Sequence, residues 1–282
     1  PLDHLEAVLD IYAGLLADLA GAGADWVQID EPILVLDLSP AQQDALRRTY
    51  ARLAQAGPQV MLASYFGALG DNRTLALSLP VAGLHLDLVR APEQIDAVLE
   101  AGTDKVLSLG LVDGRNIWKT DLASALDIAS RAADLHGPDR LQITPSCSLL
   151  HSPVDLQQED ELDDDLRSWL AFAVQKLEEV AVLARAVREG AQSVEDQLAR
   201  NARDIAARRV SSRIHNPDVK ARQAAVSDDD KRRRAAFPAR QKVQQARLGL
   251  PRFPTTTIGS FPQTKEVRRA RADHRKGLLS DA

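Results

Sequence analysis

The 282 residues are 45% hydrophobic and 27% charged, an ordinary globular balance, with a net charge of −5. An acidic chain of this kind is not an electrostatic binder of nucleic acid or membranes, and no apolar run approaches the roughly 18 residues of a membrane helix. A single cysteine, Cys147, excludes an internal disulfide framework and fits a reducing cytoplasm.

The chain opens at Pro1 without a signal-peptide pattern and its only methionine is Met61. Its last residues, Asp281 and Ala282, follow a basic helical stretch with no terminator, so both ends are expected to be cuts through a longer protein. Up to about residue 190, short apolar runs alternate with longer amphipathic stretches. The runs are Trp26–Ile29, Val60–Ala63, Leu84–Leu88, Val106–Leu109 and Leu141–Ile143, each followed by a turn former: Pro32, Gly67, Pro92, Gly114 and Pro145. Helical patterns such as 41–56 and 121–135 lie between them. Strands separated by helices predict βα units and a parallel sheet.

Two architectures produce that pattern. A doubly wound sheet would announce a nucleotide site with a glycine-rich first turn, and no GxGxxG or GxxxxGK[ST] occurs. A (β/α) barrel collects polar residues just past each strand's C-terminal end. Here those residues are Asp30 and Glu31, Ser64 and Tyr65, Asp87 and Arg90, Asp113, Arg115 and Asn116, then Ser146 and Cys147. The expected fold is therefore α/β, an incomplete (β/α)8 barrel of about five units, with the missing strands before residue 1.

Residues 155–190 form one acidic-to-amphipathic helical region. Asp163, Asp164 and Asp165 stand near a helix start, and Leu166, Leu170, Phe172, Val174, Leu177 and Val180 make the expected core side. Residues 191–250 hold 14 Lys/Arg against 7 Asp/Glu and predict an exposed helical linker. Within it, Lys231–Arg234 follow Asp228–Asp230, which predicts a mutually paired, solvated surface and not a nucleic-acid site. The β-rich, proline-bounded run Phe253–Pro262 then predicts the first strand of a new unit.

Taken together, several strings resemble the cobalamin-independent methionine synthase family: Trp26–Pro32, Tyr65–Gly67, Leu84–Gln94, Gly110–Trp118, Pro145–His151, Trp169–Ala173 and Pro254–Thr264. They occur in family order across nearly the whole chain. The resemblance implies two face-to-face (β/α)8 barrels joined by a long linker. Residues 1–190 would be the later part of the non-catalytic first barrel, 191–250 the linker, and 251–282 the start of the catalytic barrel. It also implies methyl transfer from 5-methyltetrahydropteroyl-polyglutamate to homocysteine, without cobalamin, by a cytoplasmic enzyme that is monomeric at full length. In the family a zinc ion in the catalytic barrel binds and deprotonates the homocysteine thiol. Its ligands are absent from this chain, which alone should be inactive. The site that carries over is Ile258, Gly259 and Ser260, which hold the amino-acid part of homocysteine or methionine: glycine admits close backbone approach, and amide, carbonyl and hydroxyl bond ammonium and carboxylate.

The remaining polar residues support structural roles. Cys147 has only His151 nearby in sequence, short of the ligands zinc needs, and is expected as a buried free thiol. Asp30 and Glu31 are adjacent and face opposite ways on a strand, so hydrogen bonds to neighbouring loops are expected of them. Asp113 and Arg115 should pair to fix their loop, and His85 should be a satisfied core histidine. No nucleophile, general base or metal ligand is assigned. The alternative to a methyltransferase piece is a non-catalytic binding or scaffold protein derived from a degenerate barrel.

Overall fold

The computed structural model describes residues 2–255 and 264–280. Chain contacts divide it into two compact units, Pro1–His215 and Asn216–Ala282.

The first unit opens with helix α1 (Leu5–Gly21), which leads into strand β1 (Trp26–Asp30). Helix α2 (Pro40–Leu53) starts on a capping box: the Ser39 hydroxyl accepts from the Gln42 amide, the Gln42 side chain accepts from the Ser39 amide, and Pro40 fills the first turn. The units β2 (Gln59–Ala63) with α3 (Arg73–Ser78), β3 (Gly83–Asp87) with α4 (Gln94–Ala101), and β4 (Val106–Val112) with α5 (Leu122–His136) follow. Helix α5 is capped by Asp121, which accepts from the Ser124 amide. Strand β5 (Leu141–Pro145) ends the series.

All five expected strands are present, every neighbouring pair is parallel, and the spatial order is β1-β2-β3-β4-β5. Chain order equals spatial order, with no reversal of the kind that creates the crevice of a doubly wound sheet. The core is aliphatic: Leu62, Leu84, Leu86, Leu107 and Leu109 from the strands meet Ile95, Val98, Ala129 and Leu183 from the helices. The register slips once, between Gly110 and Val112, where β4 bulges against β5. A Cβ at Gly110 would stand 2.7 Å from the Leu86 carbonyl oxygen and 2.8 Å from the His85 ring, so only glycine fits there.

The expected single helical region 155–190 is two helices, α6 (Asp164–Trp169) and α7 (Ala173–Glu189). Between them Leu170 forms an isolated antiparallel bridge with Trp118, and the amides of Lys119 and Ala171 complete the crossing, so the break is tertiary in origin. The buried face of α7 also differs from expectation. Val174 and Leu177 are exposed, and Lys176, Glu179, Leu183 and Ala186 point inward.

Helix α8 (Glu195–Val210) continues the first unit beyond residue 190. It packs on α5 through Asn201, whose carbonyl accepts from the Leu122 amide at 3.0 Å and whose amide donates to the Thr120 carbonyl at 2.8 Å. The second unit contains α9 (Pro217–Ala224), α10 (Phe237–Leu248) and α11 (Lys265–Arg275), with no buried residue in any of them. Lys231 pairs with Asp228 at 2.9 Å, as the adjacent charge runs suggest. Of the expected strand Phe253–Pro262, residues 256–262 lie outside the described residues, as do Ile258, Gly259 and Ser260.

Candidate functional site

The C-terminal ends of the five strands bring the polar residues singled out above onto one face of the first unit. Asp30 accepts from Gln28 Nε2 at 2.7 Å and from the Tyr65 hydroxyl at 3.3 Å. Glu31 turns the other way and accepts from the Tyr50 hydroxyl of α2 at 3.1 Å. Burial raises the Glu31 carboxyl above its ordinary range and, with that carboxylate beside it, drives the Tyr50 phenol far up. The two neighbouring carboxylates thus serve different partners, and no acid/base dyad forms.

Asp87 is buried at the end of β3. One oxygen accepts from the Phe66 amide at 2.8 Å, the other from the amides of Val89 at 3.1 Å and Arg90 at 2.9 Å. The first bond holds Phe66 at φ 76°, the left-handed region, where no other non-glycine among the described residues sits.

His85 is fully satisfied. Its Nε2 lies 3.1 Å from the Ser146 carbonyl, which can only accept, so Nε2 carries the proton. Nδ1 then accepts from the Ser108 hydroxyl at 2.8 Å, and the Ser108 oxygen in turn accepts from Thr144 at 3.0 Å. Burial lowers the His85 pKa, which keeps the ring neutral. Beside it, burial pushes the Cys147 thiol up, away from the reactive thiolate.

The loop after β4 departs from expectation. Asp113 does not pair with the Arg115 guanidinium. It accepts from the Arg115 backbone amide at 2.8 Å and from Asn116 Nδ2 at 2.7 Å. The guanidinium instead lies over the Phe66 ring, 4.3 Å from its centroid. A backbone amide two residues away is met without ordering a long side chain, so the turn wins the carboxylate and frees the guanidinium.

Behind this loop stands the charged face of α7. Lys176 Nζ donates to Asn116 Oδ1 at 3.3 Å and to the Trp118 carbonyl at 3.1 Å. Glu179 accepts from the Thr120 amide at 2.9 Å. From α8, Asp204 pairs with Lys119 at 2.6 Å and the Arg208 guanidinium stacks on Trp118 at 3.7 Å. Neither the backbone conformation of Phe66 nor the burial of Lys176 was visible in the sequence: phenylalanine rarely takes positive φ, and a buried lysine looks like any helix-surface lysine.

The inner face of the sheet opens into a cavity of about 480 Å³ lined by Gln28, Asp30, Tyr65, His85, Thr144 and Cys147. Its side chains are hydrogen-bonding groups without an activated nucleophile. Among the described residues no three His, Cys, Asp or Glu side chains converge as a metal ion would require. No helix among them is long and apolar enough to cross a membrane.

Sequence comparison agrees along the whole chain. The model of the cobalamin-independent synthase N-terminal domain matches residues 1–136, and that of the cobalamin-independent synthase catalytic domain matches residues 253–282. A Nitrobacter winogradskyi protein named 5-methyltetrahydropteroyltriglutamate–homocysteine methyltransferase is 54% identical over 284 aligned residues, covering all of this chain. A Caulobacter vibrioides protein of the same name is 53% identical over 285, again with the whole chain covered. The chain spans 37% of the length of each of these two curated relatives. A crystallised Listeria monocytogenes protein described as a vitamin-B12 independent methionine synthase gives a TM-score of 0.45 at 15% identity, over 67% of this chain and 54% of that one, too distant to weigh on the fold. With two domain models of one family matched in family order, and identity above one half to its curated members, the chain belongs to the cobalamin-independent synthase family.

Proposed function

We propose that this chain forms part of a methyltransferase that moves the methyl group of 5-methyltetrahydropteroyl-polyglutamate to homocysteine, giving methionine. The observation that carries this reading is the 54% identity, sustained over the entire chain, to a protein named for that reaction. Residues 1–190 then belong to the non-catalytic barrel, 191–250 to the linker and 251–282 to the start of the catalytic barrel. Ile258, Gly259 and Ser260 hold the amino and carboxylate groups of homocysteine. The compartment is the cytoplasm, which suits one buried, protonated cysteine. The full-length protein acts as a monomer, without nucleic acid or membrane as partner.

Zinc, when bound in such an enzyme, activates the homocysteine thiol as a thiolate. The described residues do not fit that ion: Cys147 is a buried thiol whose pKa is raised, and no second and third ligand converge on it. On this reading the described residues contribute no zinc ligand, and the chain by itself forms no methionine.

A chimera tests the reading. Residues 1–282 replace the matching 37% of the Nitrobacter winogradskyi relative, and methionine formation is assayed with both substrates. The chimera should turn over, and Ser260→Ala in it should raise the KM for homocysteine about tenfold, the loss of one hydrogen bond to a charged group. A chimera that folds with the parental melting temperature yet makes no methionine would overturn the proposal.

A further inference from the structure

On the strand-end face, the Arg115 guanidinium lies over the Phe66 ring. Phe66 is held at φ 76° by the buried Asp87, and the residue stays 40% exposed. Tyr65 meets that ring edge-on, with centroids 4.7 Å apart, and His151 stands 6.1 Å away. The Arg115 guanidinium covers the ring face and, among the described residues, pairs with no carboxylate. Two acids of this face are already engaged: Asp113 by the Arg115 and Asn116 N–H groups, Asp87 by three backbone amides. Its loop is immobilised from behind, because Asn116 is tied to the buried Lys176. The result is an exposed cation set in place on an aromatic ring, its planar fork of N–H donors left without an anionic acceptor. Strained backbone in a non-glycine is retained where the surroundings enforce it, and such positions cluster at ligand contacts.

We propose that Arg115, seated on Phe66, is a carboxylate-binding residue of the strand-end face. A guanidinium stacked on a ring keeps its edge free, and that edge matches the two oxygens of a carboxylate in a bidentate pair. Pre-setting the side chain removes most of the ordering cost of the contact. Such a carboxylate has two sources: a free small acid, or the oligoglutamyl tail of the folate substrate. The second source rests on the methyltransferase reading above.

The test titrates the intact 282-residue chain calorimetrically with malonate and, separately, with tri-γ-glutamate. The variants are Arg115→Met and Arg115→Lys, with melting temperatures as a check on folding. At least one anion should bind the unaltered chain. Arg115→Met should weaken it about tenfold or more, and Arg115→Lys should fall between, since lysine restores charge without the fork. Binding of tri-γ-glutamate supports the tail as source, and binding of malonate alone supports the site while removing the tail. Failure of both anions to bind, or an Arg115→Met chain that binds as the unaltered one does, overturns the proposal. Loss of methionine formation in the unsubstituted chimera is a separate result that bears on the methyltransferase reading and leaves this one standing.

Discussion

Strands β3 and β1 belong to one sheet and have similar compositions, Gly-Leu-His-Leu-Asp against Trp-Val-Gln-Ile-Asp, yet their surroundings differ. Every residue of β3 is buried, with Leu84 and Leu86 at 0% exposure, whereas β1 alternates exposed and half-buried residues. The difference lies in neighbours. β3 pairs on both sides with β2 and β4, and among the described residues β1 pairs on one side only. Burial is therefore set by a strand's place in the sheet, and a parallel strand becomes core only when both its edges and both its faces are covered. The same contrast separates α7, which turns Lys176 and Glu179 inward, from α10, which buries nothing.

The largest effect expected from this comparison is in the core. Leu84→Ala should destabilise the first unit by about 2–5 kcal/mol, the range for a fully buried leucine whose removal leaves a cavity. Val27→Ala on β1, half-buried at an edge, should cost about 1 kcal/mol or less. Urea midpoints of the two variants measure both. Equal losses would mean that β1 is covered in solution as thoroughly as β3 is, and the contrast would vanish.

The elements that the sequence revealed are those whose cause is local. Each strand shows as an apolar run closed by a turn former, and Asp163 sits at a helix start where its side chain accepts a backbone amide. The break at Leu170 stayed hidden because its cause, the bridge to Trp118, comes from some fifty residues away in sequence. At the strand-end face the residue types and their gathering were readable, since parallel βα units put every strand-end loop on one side of the sheet. The partners were not. Whether Arg115 meets Asp113 or Phe66 depends on a backbone conformation at Phe66 that no propensity favours. The inward charges of α7 escape helical periodicity for the same reason: their partners are loop groups between Asn116 and Thr120.

A pH experiment sharpens the comparison between buried and exposed charges. Burial raises the Glu179 carboxyl above its ordinary 4.5, and the Thr120 amide together with Lys176 and Lys119 only partly oppose this. Between 4.5 and the raised folded value, the folded state holds more protons than the unfolded one, so stability falls as pH rises through that window. Glu179→Gln should flatten this part of the stability profile, measured as melting temperature against pH. An unchanged slope would place the titrating group elsewhere.

The smallest expected effect belongs to an exposed pair that nonetheless has a clear signature. Asp163 caps α6 by accepting from the Leu166 amide at 3.0 Å and meets Arg213 at 2.8 Å, which ties the chain just after α8 to the start of α6. The Arg213 hydrogen bond, with the Leu166 amide second, holds the Asp163 carboxyl down at about 2. The sign is opposite to that of Glu179. Any stability it adds is fully present above the unfolded value of 3.8 and is lost as pH falls toward about 2. Solvent screening keeps the energy of such a pair small, so melting curves are a poor gauge and a direct titration is the better one. The Asp163 side-chain carbonyl carbon, followed by NMR, should titrate near 2 in the unaltered chain and move up toward 3.8 in Arg213→Gln, with the Leu166 amide holding it partly down. A midpoint at 3.8 in the unaltered chain would show that neither the cap nor the pair forms in solution, whereas Glu179 is buried behind the loop after β4 and accepts from the Thr120 amide.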